Sequence, residues 1–310
     1  MSLNDYIHPL HINGLNGRML VLPGKKSKSK SKSKEILLLY GHHSSLERMF
    51  GLAEELQQYG SVTMPDFPGF GGMDSFYKIG MKPSIDNLAD YLAAFIKLKY
   101  KNKKIMIAGL SLGFVIATRM LQKYPKMTKN VSMFTSIVGF THHDEFTFTK
   151  GRFLFYRYGA RFFSYKLPAV FFKNVCLHPN LLRLVYSKMH NAKSKFENLS
   201  DEEKKRSMDF EVHLWRCNDV RTYMATTVSM LTLDNCQKQI ALPIHHIRVS
   251  KDQYFNNQVV EQHMRVIFTD YIEHVAVMDK HTPSVIADKA AAANFIPFSI
   301  RNALKEEFAS

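Results

Sequence analysis

Between Ile36 and Val138 the chain repeats one pattern: a short, wholly apolar run, then a longer segment carrying an apolar face of helical period. Ile36–Tyr40, Val62–Met64, Ile105–Ala108 and Val131–Val138 are the apolar runs. Runs that do not alternate with polar residues are expected of strands buried on both faces. Between them Leu46–Leu56 has a helical pattern. After Pro83-Ser84, residues Ile85, Leu88, Ala89, Leu92, Phe95 and Ile96 fall on one helical stripe. Phe114–Tyr124 reads as a third helix, stopped by Pro125. Repeated units of this kind predict an α/β fold, with a mostly parallel central sheet flanked by helices.

The character changes after Phe140. Residues 141–240 are rich in aromatic and basic side chains, lose strand alternation and read as helices and loops. The strand-like pattern returns at Ile244–Val249. A helix follows over about Gln258–Phe268, then a strand at Ile272–Met278 and a helix from about Ser284. The expected division is a core of residues 1–140 and 241–310, with residues 141–240 as an inserted, mostly helical cap. At the start, Tyr6–Ile12 and Arg18–Leu22 predict a hairpin turning at Asn16-Gly17. The alternating Lys and Ser of residues 25–34 cannot bury a face, which predicts a mobile loop. No internal repeat is present.

Composition narrows the class. Apolar residues make up 45 % of the 310, enough for a sizeable core, which excludes a disordered or collagen-like chain. The three cysteines, Cys176, Cys217 and Cys236, are too few and scattered for a disulfide framework or a cysteine zinc site. They suit a reducing compartment. No apolar run reaches the ~18 residues of a bilayer span. The first residues have no basic start followed by an apolar stretch, so no signal peptide is expected and the cytoplasm is the expected location. Lys and Arg number 42 against 27 Asp and Glu, a net +15. Such a charge attracts phosphate, anionic lipid or acidic metabolites, although solubility alone also accounts for it. Nucleic acid is not the expected partner.

Gly109-Leu110-Ser111-Leu112-Gly113 stands between the Ile105–Ala108 strand and the Phe114–Tyr124 helix. A serine on so sharp a strand-to-helix turn needs small neighbours two residues to either side, here Gly109 and Gly113. The turn lifts Oγ above the sheet and aims the Leu112 N–H and the helix N-terminus at a reacting oxygen.

With that motif the chain resembles the α/β-hydrolase family over nearly its whole length. Gly41-His42-His43-Ser44-Ser45, after the Ile36–Tyr40 strand, looks like the family's oxyanion loop, with Tyr40 where the family has histidine. The resemblance implies that the backbone N–H groups of His42 and Leu112 form the oxyanion hole. Pro65-Asp66-Phe67-Pro68-Gly69-Phe70-Gly71 resembles the family's loop after the next strand, with Asp66 structural rather than catalytic.

Acyl transfer by serine needs a base, and the base needs an orienting acid. In this fold the chain order is Ser, acid, His. Asp252 directly follows a strand, where open α/β sheets place their sites; Asp234 and Asp270 are its rivals. His281 lies in a loop past the last strand, whereas His263 sits in a helical stretch and His274 in mid-strand. The expected triad is therefore Ser111, Asp252 and His281, working without a cofactor. Three His-His pairs, His42-His43, His142-His143 and His245-His246, invite a metal reading. Neighbouring side chains on a strand point to opposite faces, so no metal is expected. His43, His142 and His143 are candidates for a substrate pocket.

The sequence thus describes a serine hydrolase acting on an apolar acyl ester. Carbon–carbon bond hydrolysis, acyl transfer and a non-catalytic binding role on the same scaffold stand as alternatives. The insertion's aromatic run, from Phe153 to Phe172, is expected to wall an acyl pocket. Its interleaved Arg152, Arg157, Arg161, Lys166 and Lys173 suit contact with an anionic membrane surface, or equally a solvated face. Oligomeric state is not legible.

Overall fold

The computed structural model describes residues 3–24, 34–101, 103–188, 200–278 and 289–309. Eight strands among them form one sheet: β1 (Ile7–Ile12), β2 (Leu15–Leu22), β3 (Glu35–Leu39), β4 (Ser61–Pro65), β5 (Ile105–Leu110), β6 (Val131–Ile137), β7 (Ile240–Arg248) and β8 (Phe268–Val275). Their spatial order is β1-β2-β4-β3-β5-β6-β7-β8. β2 runs antiparallel to β1 and β4, and every other pair is parallel. The chain leaves β3 toward β4 on one side and later returns to place β5 on the other. That reversal opens a crevice at the carboxyl ends of β3 and β5, where ligands bind in open α/β sheets.

The apolar runs are the centre of the sheet. Ile36, Leu37, Leu38 and Leu39 are all inaccessible to solvent, as a strand covered on both faces requires. Three helices cover the first half: α1 (Leu46–Leu56), α2 (Ile85–Tyr100) and α3 (Leu112–Lys123). Ser45 and Ser84 cap α1 and α2, accepting from the N–H groups of Arg48 and Asn87. The stripe expected on α2, from Ile85 to Ile96, is buried throughout. Each such large apolar side chain contributes about 1.5–3 kcal/mol of transfer free energy.

The hairpin needs a correction. It turns at Asn13-Gly14, where both residues have positive φ (50° and 79°), not at Asn16-Gly17. Asn16 and Gly17 lie within β2, opposite His11 and Leu10. Tertiary contacts settle the choice between the two Asn-Gly pairs. The Asn16 N–H donates to Asp74 at 2.8 Å, and a Cβ on Gly17 would collide with Met73.

Between β6 and β7 the described residues contain no sheet strand. They form α4 (Lys150–Phe163), α5 (Lys166–Phe171), α6 (Pro179–Lys188), α7 (Asp201–Cys217) and α8 (Val220–Met230). This insertion has a small core of its own, including Ala160, Leu177, Val212 and Met224. After β7 come α9 (Asn257–Ile267), β8, α10 (Lys289–Ala293) and α11 (Phe298–Ala309). The lysine-rich loop, apart from Lys34, and the expected helix start at Ser284 lie outside the described residues. No helix among the described residues is long and apolar enough to cross a membrane.

Candidate active site

Ser111 follows β5 directly and occupies the N-cap position of α3 with φ 48° and ψ −112°. A β-carbon is strained there, and such strain is held only where the surroundings over-determine it. Here they do. The Ser111 N–H donates to the Ile137 carbonyl at 3.0 Å, and its own carbonyl accepts from Phe114 and Val115. A Cβ on Gly109 would lie 2.5 Å from the Phe114 Cα, and one on Gly113 would lie 2.6 Å from the Leu39 carbonyl oxygen. Both glycines are therefore required by close backbone approach. A serine at an N-cap normally accepts a hydrogen bond from the first turn. Ser111 makes no such bond, so its Oγ is not spent on the helix.

The β3 loop meets Ser111 across the crevice: a Cβ on Gly41 would stand 3.5 Å from the Ser111 Cβ. His42 is thereby placed beside the elbow, and Leu112 opens α3, where N–H groups lack an intrahelical acceptor. Tyr40 anchors this loop through its hydroxyl. Its hydroxyl donates to Asp66 Oδ1 at 3.1 Å and accepts from the Phe67 N–H at 2.8 Å. Arg18 Nε donates to Asp66 Oδ2 at 3.1 Å. Asp66 is fully buried, and that burial pushes its carboxyl up to about 8 against the pull of Arg18. Asp66 is thus a structural tie between the β3 and β4 loops.

Asp252 stands past the carboxyl end of β7, two strands from β5. Its Oδ1 accepts from the N–H groups of Tyr254 (2.8 Å) and Phe255 (3.2 Å), which fixes the loop it stands on. His281 lies outside the described residues.

A family model described as serine aminopeptidase, S33, matches residues 30–269. The chain belongs to that family of α/β-hydrolases. No curated protein matches this hydrolase. Among solved structures, it is similar to a thermophilic esterase from Thermogutta terrifontis, with 15 % identity, TM-score 0.63 and coverage of 97 % of this chain and 98 % of that one. The enol-lactonase from Burkholderia xenovorans LB400 is 11 % identical at TM-score 0.63, with coverage of 98 % and 100 %. An epoxide hydrolase, CorEH, is 14 % identical at TM-score 0.64, with coverage of 96 % and 97 %. At these identities the structures share the fold.

In the hydrolase, the two rival histidines are committed elsewhere. His263, on α9, binds the buried Glu145 through Nδ1 at 2.8 Å, and that hydrogen bond raises its pKa. His274 pairs with His245 at 3.1 Å and with Ser299 at 2.8 Å; burial, with His245 beside it, pulls its pKa down to about 4.

The His-His pairs divide by local structure. On β7 the alternation holds: His245 faces His274, whereas His246 faces Ser136 at 3.0 Å. His142 and His143 lie off the sheet strands, at a short 3-10 turn, so their rings come within 4.2 Å instead of diverging. With Asp144 they offer metal-ligand atoms within 4.8 Å of one another. His142 Nδ1 accepts from the Asp144 N–H at 3.1 Å. His143 Nδ1 donates to the Leu233 carbonyl at 2.9 Å. The structure thus sets this pair against Leu233, Asp144 and His263.

His42 and His43 are held by the insertion. His42 Nε2 donates toward Thr226 Oγ1 (2.9 Å) and the Tyr223 carbonyl (3.1 Å) on α8. Burial, with His43 alongside, pulls the His42 ring down to about 3, so it is neutral at pH 7. His43 Nε2 donates to Glu211 on α7 at 2.9 Å, and Arg48 donates to the other Glu211 oxygen at 2.6 Å. The Trp215 and Tyr223 rings pack against His43. The β4 loop is held likewise. Gly71 N–H donates to Asn218 Oδ1 at 2.9 Å, and Asp219 N–H donates to the Gly69 carbonyl at 2.8 Å. Glu211, Trp215, Tyr223 and Thr226 were not singled out in the sequence. One acid among the five of α7 gives no sign of its burial.

The aromatic run behaves differently from expectation. Phe155, Tyr158, Phe162, Tyr165 and Phe171 are exposed and do not wall a closed pocket. The rings nearest His42 and His43 come from α7, α8 and the β4 loop instead: Trp215, Tyr223 and Phe70.

Proposed function

We propose that this α/β-hydrolase cleaves carboxylic esters with Ser111 as nucleophile, His281 as general base and Asp252 as the acid that orients His281. One observation carries the reading: Ser111 sits at φ 48° at the head of α3 and its side chain does not cap the helix. His281 takes the Ser111 hydroxyl proton as Oγ attacks the acyl carbonyl. The N–H groups of His42 and Leu112 receive the tetrahedral oxyanion. His281 then protonates the departing alkoxide, leaving an acyl group on Ser111. Water, deprotonated by His281, attacks that acyl group, and the acid leaves as Ser111 regains its proton.

Serine at this position argues against epoxide opening by a carboxylate nucleophile. Esters are favoured over amides because an alkoxide departs more readily than an amide nitrogen. Residues 141–240 act as the cap of this site. Support for that role comes from side chains of α7, α8 and the turn between them, which grip both the β3 and β4 loops at the carboxyl ends of the strands.

The test is labelling by a fluorescent fluorophosphonate together with turnover of a soluble aryl ester. Wild type should label, and Ser111→Ala should not. Ser111→Ala should lose turnover by at least about 10⁴-fold, with His281→Ala and Asp252→Asn also low and the effects not additive. Turnover that survives Ser111→Ala and disappears with a chelator would sink this reading.

A further inference from the structure

Twelve of the eighteen large apolar side chains exposed among the described residues lie between Leu154 and Leu184. Most of them sit on the outward side of their helices. At about 100° per residue, Leu154, Phe155, Tyr158 and Phe162 share an arc of about 100° on α4, opposite the partly or fully buried Phe153, Ala160 and Phe163. Lys150, Arg157 and Arg161 flank that arc on one side and Arg152 on the other, all exposed. On α5, Leu167, Val170 and Phe171 repeat the outward apolar face at spacings of three and four; Leu167 is 81 % exposed.

Charge is segregated in the same segment. From Phe146 to Phe196 the chain carries ten Lys and Arg and no Asp or Glu. An ordinary surface helix has its polar face outward. An exposed apolar face of this extent marks an interaction site. A second copy docked through the same face would set cations against cations. A nucleic acid would satisfy the cations but leave Leu167, Val170 and Leu184 in water. An anionic bilayer satisfies both: apolar side chains enter the acyl boundary while Lys and Arg stems let their charges reach the headgroups.

We propose that the outer face of α4–α6 docks on an anionic membrane surface. Docking does not depend on the catalytic reading, so it is measured on Ser111→Ala as well as on wild type. The experiment is flotation with vesicles of phosphatidylcholine alone or with one-third phosphatidylglycerol, at two salt concentrations. Wild type should bind the anionic vesicles at least about tenfold more tightly, and salt should weaken binding. Arg157→Gln combined with Lys166→Gln should cost about fivefold for each charge removed. Leu167→Ser combined with Phe171→Ser keeps every charge and should cost at least about tenfold. All four side chains are exposed, and unchanged thermal melts check that the variants fold. Equal vesicle binding by wild type and the serine variant would reduce the effect to bulk charge and overturn the proposal. So would no binding to either vesicle, or a dimer that the serine variant disperses.

Discussion

The sheet region and the helical insertion use apolar residues in opposite ways. β3 and β5 hide every one of theirs, whereas α4 and α5 turn most of theirs outward. The sheet region is held by backbone geometry. At Gly109 and Gly113 neighbouring main chain approaches too closely for any side chain, and Ser111 is strained into place between them. Polar ties centred on Glu211 and Thr226 join the insertion to it, beside Met230 and Leu233, which are buried in the main core. The difference teaches where each property resides. The proposed nucleophile, Ser111, must be held to a fraction of an ångström, and it stands where close main-chain contacts fix the turn. A cap over it, as proposed for the insertion, needs ties that can change to admit substrate.

Substitutions can break this comparison at each end. The largest effect on stability is expected at Glu211, which is 1 % exposed and bonded to both His43 and Arg48. Glu211→Ala leaves the buried Arg48 guanidinium without that partner and should cost about 3–5 kcal/mol in denaturant unfolding. Glu211→Gln should cost less. An unchanged midpoint for Glu211→Ala would mean that the insertion is anchored elsewhere.

Next is Gly113→Ala. Its Cβ would meet the Leu39 and Tyr40 carbonyl oxygens at 2.6 and 2.7 Å, and backbone cannot swing aside. A loss of about 1–3 kcal/mol is expected, with labelling of Ser111 impaired as well. Full stability and full labelling would show that the elbow is softer than its contacts imply.

Acid should act on the sheet region through His246. Burial holds this ring down at about 4, against about 6.5 in the unfolded chain. The unfolded state therefore takes up the proton first as pH falls. The contribution is fully present above about pH 6.5 and is lost as pH drops through about 4, at up to about 1.4 kcal/mol per pH unit. His246→Asn should flatten the fall of Tm between those limits. An unchanged slope would assign the acid sensitivity to other groups.

The smallest effect has the opposite sign and belongs to the insertion. Gly159 lies in α4, and a Cβ there would meet nothing within 4 Å. Gly159→Ala should stabilise by about 0.5–1 kcal/mol, because alanine loses less backbone entropy in a helix. A loss of stability would mean that α4 has neighbours that its surface does not suggest.

Much of this was legible in the sequence. The strand–helix order, the α2 stripe and the Ser111 elbow follow from local pattern, because burial on both faces and close backbone approach each demand particular residue types within a few positions. The hairpin turn was misplaced by three residues, since two Asn-Gly pairs are locally equivalent and only contacts with Asp74 and Met73 separate them. The aromatic run was misassigned for a related reason. A helical stripe of Phe and Tyr has the same spacing whether it faces a core or the outside.

By itself, then, the sequence determined what short-range physics can specify: a parallel sheet, the strained serine between two glycines, and the alternation of acid-free basic and aromatic residues after Phe146. The tertiary structure alone decided which histidine meets which acid. His43 with Glu211 and His263 with Glu145 are 168 and 118 residues apart. It alone showed that Tyr40 ties the loop after β3 to Asp66, and that most aromatics of α4 face outward. Pairings at such separations depend on how completed elements dock. Docking is governed by the summed shape and charge of whole faces, which no local spacing records.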